Sequence, residues 1–268
     1  MDLLLAILLG ILQGVTEWLP ISSSGHLVLF QHIFGEANDV VYDIMVHGGT
    51  LLAVIVFFWK DFIMLLRNFV LTFADLPRLK GNAFFKDAER RLTWYILLAT
   101  LPIVVVGILL QDYIDVIFNS LTVVGIGFII TGIWLLSTSK MRGKEKADLK
   151  KSILIGLAQS LAIFPGVSRS GSTIATGMLL KMEKEKAARF SFLLSIPAIG
   201  GAFVYKILKT PLANVFTIAN IAGFFTAFIV GILTIKFLLY VIKRGRFYAF
   251  GFYTICLGIL VLLYQLIS

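Results

Sequence analysis

Six apolar runs, each close to the length that a helix needs to cross a bilayer, constrain this chain more than any other feature. Charged or turn-forming residues bound these runs, which lie at about residues 43–59, 92–110, 120–139, 190–206, 216–236 and 248–267. A hydrocarbon core about 30 Å thick requires about 20 apolar residues of an α-helix. The sequence therefore predicts six transmembrane helices.

The composition supports a membrane protein rather than a soluble one. The chain has 268 residues, 59% of them hydrophobic, and a mean hydropathy of +0.94. Soluble domains are nearer half apolar and richer in charge. The apolar runs are continuous and lack the alternation of polar and apolar residues that is typical of a membrane β-barrel. We therefore expect an all-α polytopic membrane protein.

Two further stretches, residues 1–30 and 152–180, begin as apolar sequence and become rich in Ser, Gly and Pro midway. Backbone groups without partners cannot face lipid, so such interruptions must line a protein-enclosed or water-filled cavity. We interpret each stretch as a re-entrant helix pair. The fold prediction is thus six transmembrane helices plus two re-entrant helix pairs.

The two interrupted stretches resemble each other at a constant offset of 146 residues. Seven of the nineteen positions from 7 to 25 are identical to their counterparts, including the Ser-x-Ser-Gly core at 22–25 and 168–171. This similarity predicts a duplication, with a first repeat at 1–139, a basic linker at 140–151 and a second repeat at 152–268.

The distribution of charge predicts the orientation of the chain. Of 24 Lys and Arg residues, 21 fall within 60–91, 140–151, 181–189 and 236–246. The loops predicted on the opposite side have no Lys or Arg but contain Glu36, Asp39, Asp43, Asp112 and Asp115. The positive-inside rule therefore places both termini outside. Three spans in each half then make the repeat an inverted one. Six plain spans with hydrophobic hairpins would fit the charges equally well, but not the repeat.

The formal net charge of +9 does not indicate a nucleic-acid partner. The basic residues are dispersed among the predicted loops and form no recognition motif. Anchoring to anionic lipid on the cytoplasmic side explains the linker sufficiently. Within 61–91, the spacing of Phe62, Leu65, Leu66 and Phe69 predicts an amphipathic helix in the membrane interface.

The second interruption contains Arg169, the only basic residue in either stretch. A guanidinium buried at membrane depth is costly unless an anion or a functional partner meets it, and its planar donors suit a phosphate. The neighbouring hydroxyls and the following helix N-terminus would add donors from Ser168, Ser170 and Thr173. We predict an anion-binding site. The alternative is that Arg169 pairs only with Glu17, as a structural bridge.

The first interruption follows Gln13 and Glu17, which are one helical turn apart and share a face. A carboxylate in a low-dielectric pocket could hold a divalent cation together with Gln13, or could accept a proton. A satisfied hydrogen bond between helices is the alternative interpretation of this pair.

Three serines and a histidine follow. Ser22, Ser23 and Ser24 next to a glycine are more often turn residues than nucleophiles. Beside this cluster, His26 is a candidate proton donor or acceptor, because imidazole titrates near neutral pH. We interpret His32 and His47 as structural. Asp43 is either a secondary cation ligand or a solvated acid.

Pseudo-symmetry would bring both interruptions to the bilayer midplane. Glu17, Ser23 and His26 would then face Arg169 and the hydroxyls around it. An acid and base opposite an anion cradle are the groups that phosphoryl transfer requires. The substrate would be a lipid phosphate or pyrophosphate.

Three motifs carry a resemblance to a known family. They are Gln-Gly-Val-Thr-Glu at 13–17, Pro-Ile-Ser-Ser-Ser-Gly-His at 20–26 and Pro-Gly-Val-Ser-Arg-Ser-Gly-Ser-Thr at 165–173. Together they resemble the signatures of the undecaprenyl-pyrophosphate phosphatases of the bacitracin-resistance type, over essentially the whole chain. The first signature of that family is Glu or Gln, three residues, then Glu. This chain carries the Gln variant at position 13, which leaves Glu17 as the carboxylate.

The resemblance implies an enzyme of the bacterial inner membrane that hydrolyses undecaprenyl pyrophosphate to the monophosphate and inorganic phosphate. It implies dependence on Mg²⁺ or Ca²⁺ and an active site that opens to the outer face. It also implies roles: Arg169 would clamp the pyrophosphate, Glu17 would bind metal or transfer a proton, and His26 would act as acid, base or nucleophile. Ser23 is another candidate nucleophile, and direct attack by water stays open.

The remaining assignments complete the hypothesis. The residues predicted to bind substrate are Gln13, Ser22, Ser24, Ser168, Ser170 and Thr173, and those predicted to bind metal are Glu17 and Gln13. A homodimer is also considered. The alternative function is a transporter or flippase of a polyprenyl phosphate lipid, because inverted repeats with broken helices are common in carriers.

Overall fold

A computed structural model of the chain describes residues 2–34, 40–211 and 215–267. Within these ranges the backbone is helical, with no β-strand and one isolated bridge between Glu145 and Met182. The prediction of an all-α protein is confirmed. Two of the acidic residues of the first predicted outer loop, Glu36 and Asp39, lie outside the described residues.

The α-helices are named here in chain order. They are α1 (Leu3–Thr16), α2 (Ser23–Phe34), α3 (Val40–Phe57), α4 (Trp59–Leu79), α5 (Ala88–Leu109), α6 (Ile114–Phe118), α7 (Leu121–Leu136), α8 (Leu149–Ser160), α9 (Arg169–Leu179), α10 (Lys184–Lys209), α11 (Ile218–Lys243) and α12 (Phe250–Ile267). Short 3₁₀ segments lie at Lys80–Phe85, Gln111–Tyr113, Leu161–Ile163 and Phe247–Ala249.

Each of the six predicted spans coincides with a helix, but the helices differ in length. Of the described helices, α5, α10, α11 and the segment Phe247–Ile267 are long and apolar enough to cross a membrane. Helix α3 forms a pair with α4 that is bent by 89° and would count as a fifth span. Helix α7 has only 16 residues. The protein is therefore a multi-pass membrane protein, whereas the count of six spans stays a prediction.

The two Ser/Gly/Pro-rich stretches are interrupted where the sequence indicates. Helix α1 ends at Thr16 and α2 begins at Ser23, while α8 ends at Ser160 and α9 begins at Arg169. In each stretch a serine accepts a hydrogen bond from the amide of the glycine three residues later. These bonds join Gly25 to Ser22, at 3.4 Å, and Gly171 to Ser168, at 3.0 Å. Both pairs occupy equivalent positions of the repeat, so equivalent sequence forms equivalent helix starts.

The two halves are interlocked through small residues. Helix α1 packs against α11, and its counterpart α8 packs against α5. A Cβ atom added at Gly10 would lie 2.8 Å from the carbonyl oxygen of Gly223, and one added at Gly156 would lie 2.4 Å from that of Ala99. Small residues let membrane helices approach closely. This reciprocal packing is what a two-fold relation between the halves would produce, although the repeat boundaries themselves stay predictions.

Helix α4 is amphipathic, with its exposed apolar face shifted from the predicted one. Of the four residues whose spacing predicted the helix, Phe62 and Leu65 are half-buried, while Leu66 and Phe69 are exposed. The face turned away from the rest of the protein exposes Trp59, Ile63, Leu66, Val70 and Phe73. Such a face suits contact with lipid.

The inner face of α4 is held mainly by polar contacts. Asp61 forms an ion pair with Arg189, and the carboxylate of Asp75 accepts a hydrogen bond of 2.6 Å from the buried Arg90. The Trp94 indole also donates to the Thr72 hydroxyl, at 3.1 Å. These contacts fix α4 across α5 and α10, a feature that the apolar spacing of the sequence did not predict.

The basic linker is anchored to the loop that precedes α10. The Glu145 amide donates to the carbonyl of Lys181, at 3.0 Å, and the Glu183 amide donates back to the carbonyl of Glu145, at 3.1 Å. Asp148 caps α8 by accepting from the Lys151 amide, at 2.8 Å. The side-chain hydrogen bond from Lys151 also holds the pKa of the Asp148 carboxyl below its usual value.

Replacement of a glycine at the contact between α8 and α5 should destabilise the protein. In Gly156→Ala the new methyl group would meet the rigid backbone of Ala99, and such overpacking costs about 1–3 kcal/mol. Thermal unfolding of the purified protein in detergent measures the loss. Gly107→Ala is the matched control, because the nearest atom to its added Cβ is a side-chain methyl at 3.6 Å. Equal midpoints for the two variants would contradict the close approach.

Candidate active site

The two interruptions touch each other inside the protein. A Cβ atom added at Gly25 would lie 2.9 Å from the backbone of Gly166. The Ser170 hydroxyl donates to the carbonyl oxygen of Leu19, at 3.1 Å. The starts of α2 and α9 therefore belong to one unit, and the predicted meeting of the two stretches is seen in the structure.

Glu17 is the centre of this unit. Its Oε1 atom accepts a hydrogen bond of 2.6 Å from Nη2 of Arg169, and its Oε2 atom accepts from the Ser23 hydroxyl, at 2.6 Å, and from Nε2 of Gln13, at 3.1 Å. Ser23 and Arg169 occupy equivalent positions of the repeat. One carboxylate thus receives donors from both halves, and the ion pair is buried, with 6% and 11% of the two side chains exposed.

Arg169 retains donor capacity after it has paired with Glu17. Its Nη1 atom is buried and has no hydrogen-bond partner among the residues that the structure describes. The guanidinium lies over the ring of Trp18, with its carbon 5.2 Å from the ring centroid, and this contact fixes its plane. Arg169 is also the first residue of α9, so the positive end of the helix lies beside it. Arg169 thus pairs with Glu17 through Nη2 and keeps Nη1 as a further donor, on a residue that lines the cavity described next.

A cavity of about 860 Å³ opens onto this centre. Its polar wall contains Glu17, Ser22, Ser23, Ser24, Ser168 and Arg169. The lining also contains the polar side chains of Gln31, Asp43, His47, Asn119 and Lys206. The rest of the wall is apolar and includes Ile103, Phe118, Ile163, Ile199 and Phe203. A ligand with an anionic end and an apolar body matches this lining.

The structure adds His47 to the candidate site, although the sequence favoured a structural role for it. Its Nδ1 atom lies 2.7 Å from the carbonyl oxygen of Asp43, which can only accept, so this nitrogen carries a proton. Its Nε2 atom lies 3.6 Å from Oε2 of Glu17 and faces the cavity. The spacing of Asp43 and His47, one turn apart on α3, is the only sequence signal for this placement.

Four predicted site residues lie behind the cavity wall rather than in it. Gln13 and Ser170 are buried and make the contacts given above. Thr173 donates to the carbonyl of Arg169, at 2.7 Å, and shares a hydrogen bond of 2.6 Å with Ser191. The ring of His26 packs against Phe128 and Tyr253. These contacts support the wall, and the direct roles assigned to the four residues stay predictions.

The predicted metal ligands do not form a ready cation site. Both oxygens of Glu17 are engaged, one of them by the cation Arg169, and Gln13 turns its amide nitrogen toward the same carboxylate. Among the described residues, no group of three or more His, Cys, Asp and Glu side chains is placed to hold a metal ion. A divalent cation bound to Glu17 would have to share the carboxylate with the donors from Arg169, Ser23 and Gln13.

Removing one partner of the buried ion pair should destabilise the protein more than removing both. Glu17→Gln or Arg169→Gln alone leaves an uncompensated buried charge, which costs roughly 3 kcal/mol. The double variant leaves none, so its loss should be clearly smaller than the sum of the single losses. Thermal unfolding in detergent measures all three variants.

The surface pair of Glu183 and Lys186 serves as a control, since both side chains are more than 40% exposed. Its two Gln variants should each change stability by less than about 1 kcal/mol. Additive losses for Glu17 and Arg169 would show that the two charges are not coupled.

Comparison with known proteins gives a consistent result along the whole chain. The family described as "Bacitracin resistance protein BacA" matches residues 6–260. A protein of Korarchaeum cryptofilum named undecaprenyl-diphosphatase is 45% identical over 262 residues, which cover 98% of this chain and 99% of that protein. Proteins of the same name from Methanosphaera stadtmanae and Moorella thermoacetica are each 40% identical, over 100% and 97% of this chain and 99% and 97% of their own lengths.

Proposed function

Because the chain belongs to the bacitracin resistance protein BacA family, we propose that it hydrolyses undecaprenyl diphosphate to undecaprenyl phosphate and inorganic phosphate. It is then a membrane hydrolase that acts on a diphosphate anhydride. This reaction recycles the lipid carrier of peptidoglycan and other cell-wall polymers, and it confers bacitracin resistance, as is typical of the family. The site of the reaction is the cavity around Glu17 and Arg169.

The buried, unpartnered Nη1 atom of Arg169 is the observation that carries this proposal at the level of the site. A buried donor without a partner costs about 1–3 kcal/mol. Arg169 is part of the cavity wall, so a phosphate bound there would lie next to its guanidinium, and a small rotation of that group would give Nη1 a phosphate oxygen as a partner. The structural bridge explains the bond to Glu17 but leaves Nη1 without a partner.

The proposal gives each group at the centre a role. Arg169 and the N-terminus of α9 neutralise charge on the terminal phosphoryl group as the anhydride bond breaks. The Ser23 hydroxyl already donates to Glu17 at 2.6 Å, so Glu17 can take its proton while Ser23 Oγ bonds to phosphorus. Undecaprenyl phosphate leaves with the electron pair of the broken bond. Water then attacks phosphorus, the bond from phosphorus to Ser23 Oγ breaks, and Oγ takes back the proton from Glu17, while the protons of the water stay with the released phosphate. A water molecule in the place of the hydroxyl would use the same base.

The apolar wall suits the polyprenyl chain of the substrate. Side chains from three different parts of the chain, Ile103, Ile163 and Ile199, line the same cavity as the ionic centre. A pyrophosphate held at Arg169 would therefore extend its lipid along an apolar surface, where burial contributes about 25 cal/mol per Å².

The charge pattern supports an orientation for the site. The cavity is lined by Asp43 and Asn119, which border or lie in the loops that have no Lys or Arg. The positive-inside rule puts those loops outside, so the active site would open to the outer or periplasmic face of the cytoplasmic (inner) membrane, with both termini outside. The full arrangement is then six spans and two re-entrant helix pairs in two inverted repeats. A homodimer is an additional expectation.

Dependence on a divalent cation, Mg²⁺ or Ca²⁺, stays part of the proposal. Since Arg169 already neutralises Glu17, the cation would be held chiefly by the diphosphate of the substrate rather than by a protein cage. Chelation should then lower the rate without changing the thermal midpoint of the substrate-free protein.

The conservative substitution Arg169→Lys should lower kcat/KM by roughly 10³-fold. One ammonium group cannot both pair with Glu17 and present a second, planar donor to the phosphate. Phosphate release from undecaprenyl diphosphate by the purified protein measures the effect. Arg189→Lys is the matched control, because Arg189 pairs with Asp61 on the surface of the protein. Full activity of a folded Arg169→Lys variant would refute the proposed site.

Two further experiments separate the phosphatase from a structural bridge and from a transporter. If the double variant Glu17→Gln with Arg169→Gln is stable but releases no phosphate, the result supports a catalytic role for the pair. If it is stable and active, the result supports a structural bridge. Transport of labelled undecaprenyl phosphate across proteoliposomes without phosphate release would favour the transporter.

Acid quenching should identify the nucleophile. With substrate labelled in its terminal phosphate, the wild-type protein should carry label on Ser23, and Ser23→Ala should lose both the label and at least about 10²-fold in kcat. Ser24→Ala, which changes the neighbouring hydroxyl of the same wall, is the control. A fast reaction that leaves no labelled protein would indicate direct attack by water.

A further inference from the structure

His26 is the residue of the signature motifs whose position in the structure differs most from its expected role. It is absent from the described lining of the cavity, and its ring lies between two aromatic side chains. The ring of Phe128 meets it edge-on, with centroids 5.1 Å apart, and the ring of Tyr253 is parallel to it within 8°, at 5.8 Å. Tyr253 belongs to α12, the last helix of the chain.

Both ring nitrogens of His26 are engaged. Nδ1 lies 2.8 Å from the carbonyl oxygen of Ser22, which can only accept, so Nδ1 carries a proton and donates it. Nε2 lies 2.7 Å from the hydroxyl oxygen of Tyr253. In the neutral ring Nε2 must accept, so the Tyr253 hydroxyl donates. The phenol therefore selects the tautomer that bonds to Ser22.

The carbonyl that His26 holds belongs to a residue in an unusual conformation. Ser22 has a φ of +69°, in the left-handed region that is costly for a residue with a Cβ atom. This turn brings the next residue, Ser23, to 2.6 Å from Glu17. The Ser22 carbonyl also accepts from the His26 amide, at 3.3 Å. The imidazole thus supplies a second anchor for the peptide that precedes the candidate nucleophile.

We propose that Tyr253 and His26 are positioning residues, which hold the Ser22 peptide from behind so that the Ser23 hydroxyl stays on Glu17. The inference rests on the proposed phosphatase function and assigns a part in it to Tyr253. It replaces proton transfer by His26 with orientation, because neither ring nitrogen is open to the cavity.

Removing only the phenol oxygen tests the hydrogen bond between Tyr253 and His26. Tyr253→Phe should lower kcat by about tenfold, the effect of one neutral hydrogen bond on the geometry of the reacting group, and leave KM within about twofold. Tyr264→Phe, on the same helix but in ring contact with His32, is the matched control and should keep wild-type kinetics. Wild-type kcat in Tyr253→Phe overturns the proposal.

Substitutions of His26 test the hydrogen bond to the Ser22 carbonyl and distinguish a positioning role of His26 from proton transfer. The side-chain amide of His26→Asn can still donate from the place of Nδ1 to the Ser22 carbonyl, so this variant should keep kcat within about tenfold of wild type. His26→Ala should lose at least about 10²-fold. In the Asn background Tyr253→Phe should cost nothing further, because its partner atom is gone. A folded His26→Asn variant as inactive as His26→Ala indicates acid/base catalysis and overturns the proposal.

Failure of this inference and failure of the proposed function give different results. Failure of the proposed function appears as a wild-type protein that releases no phosphate. Failure of the positioning pair appears as an active wild-type protein together with wild-type kcat in Tyr253→Phe, or with a His26→Asn variant as inactive as His26→Ala. Thermal midpoints, expected to be the same for wild type, Tyr253→Phe and His26→Asn, show that the kinetic changes do not come from unfolding.

Discussion

The ion pair of Glu17 and Arg169 is the interaction on which the rest of this structure depends. Each charge alone would be expensive inside a bilayer, and each belongs to a different half of the chain. Pairing the charges therefore also fixes how the halves meet. The pair is neutral as a whole, and because the carboxylate uses only one nitrogen of the guanidinium, a second donor is left for the anion that we propose as the ligand.

The interrupted helices make this pair possible. A continuous helix would satisfy its amides within itself, whereas the starts of α2 and α9 place helix N-termini and serine hydroxyls beside the charges. Serine caps at equivalent positions, Ser22 and Ser168, stabilise both starts and make up part of the cavity wall. The cost of an irregular backbone in a membrane is thus met by the same groups that give the site its chemistry.

The two halves contribute unequally to a site that their similarity would suggest is symmetric. At one position of the repeat the first half has Ser23 and the second has Arg169, and both donate to the same carboxylate. The counterpart of Glu17 in the second half is Ile163, which lines the apolar wall. A single centre with the proposed nucleophile on one side and the proposed anion clamp on the other follows from these two differences.

The sequence by itself determined the helical membrane class, the two interruptions and the opposition of Glu17 and Arg169. These follow from local rules: apolar length sets a span, Pro and Gly end a helix, and buried opposite charges must meet. The placements of His47 and His26 were decided only by tertiary structure. The sequence assigns each residue to a helix but does not fix which side of that helix faces the site. The rotation of α3, which packs against α11, turns His47 toward Glu17, and the rotation of α2, which packs against α1 and α7, turns His26 toward Tyr253. No local pattern contains either rotation.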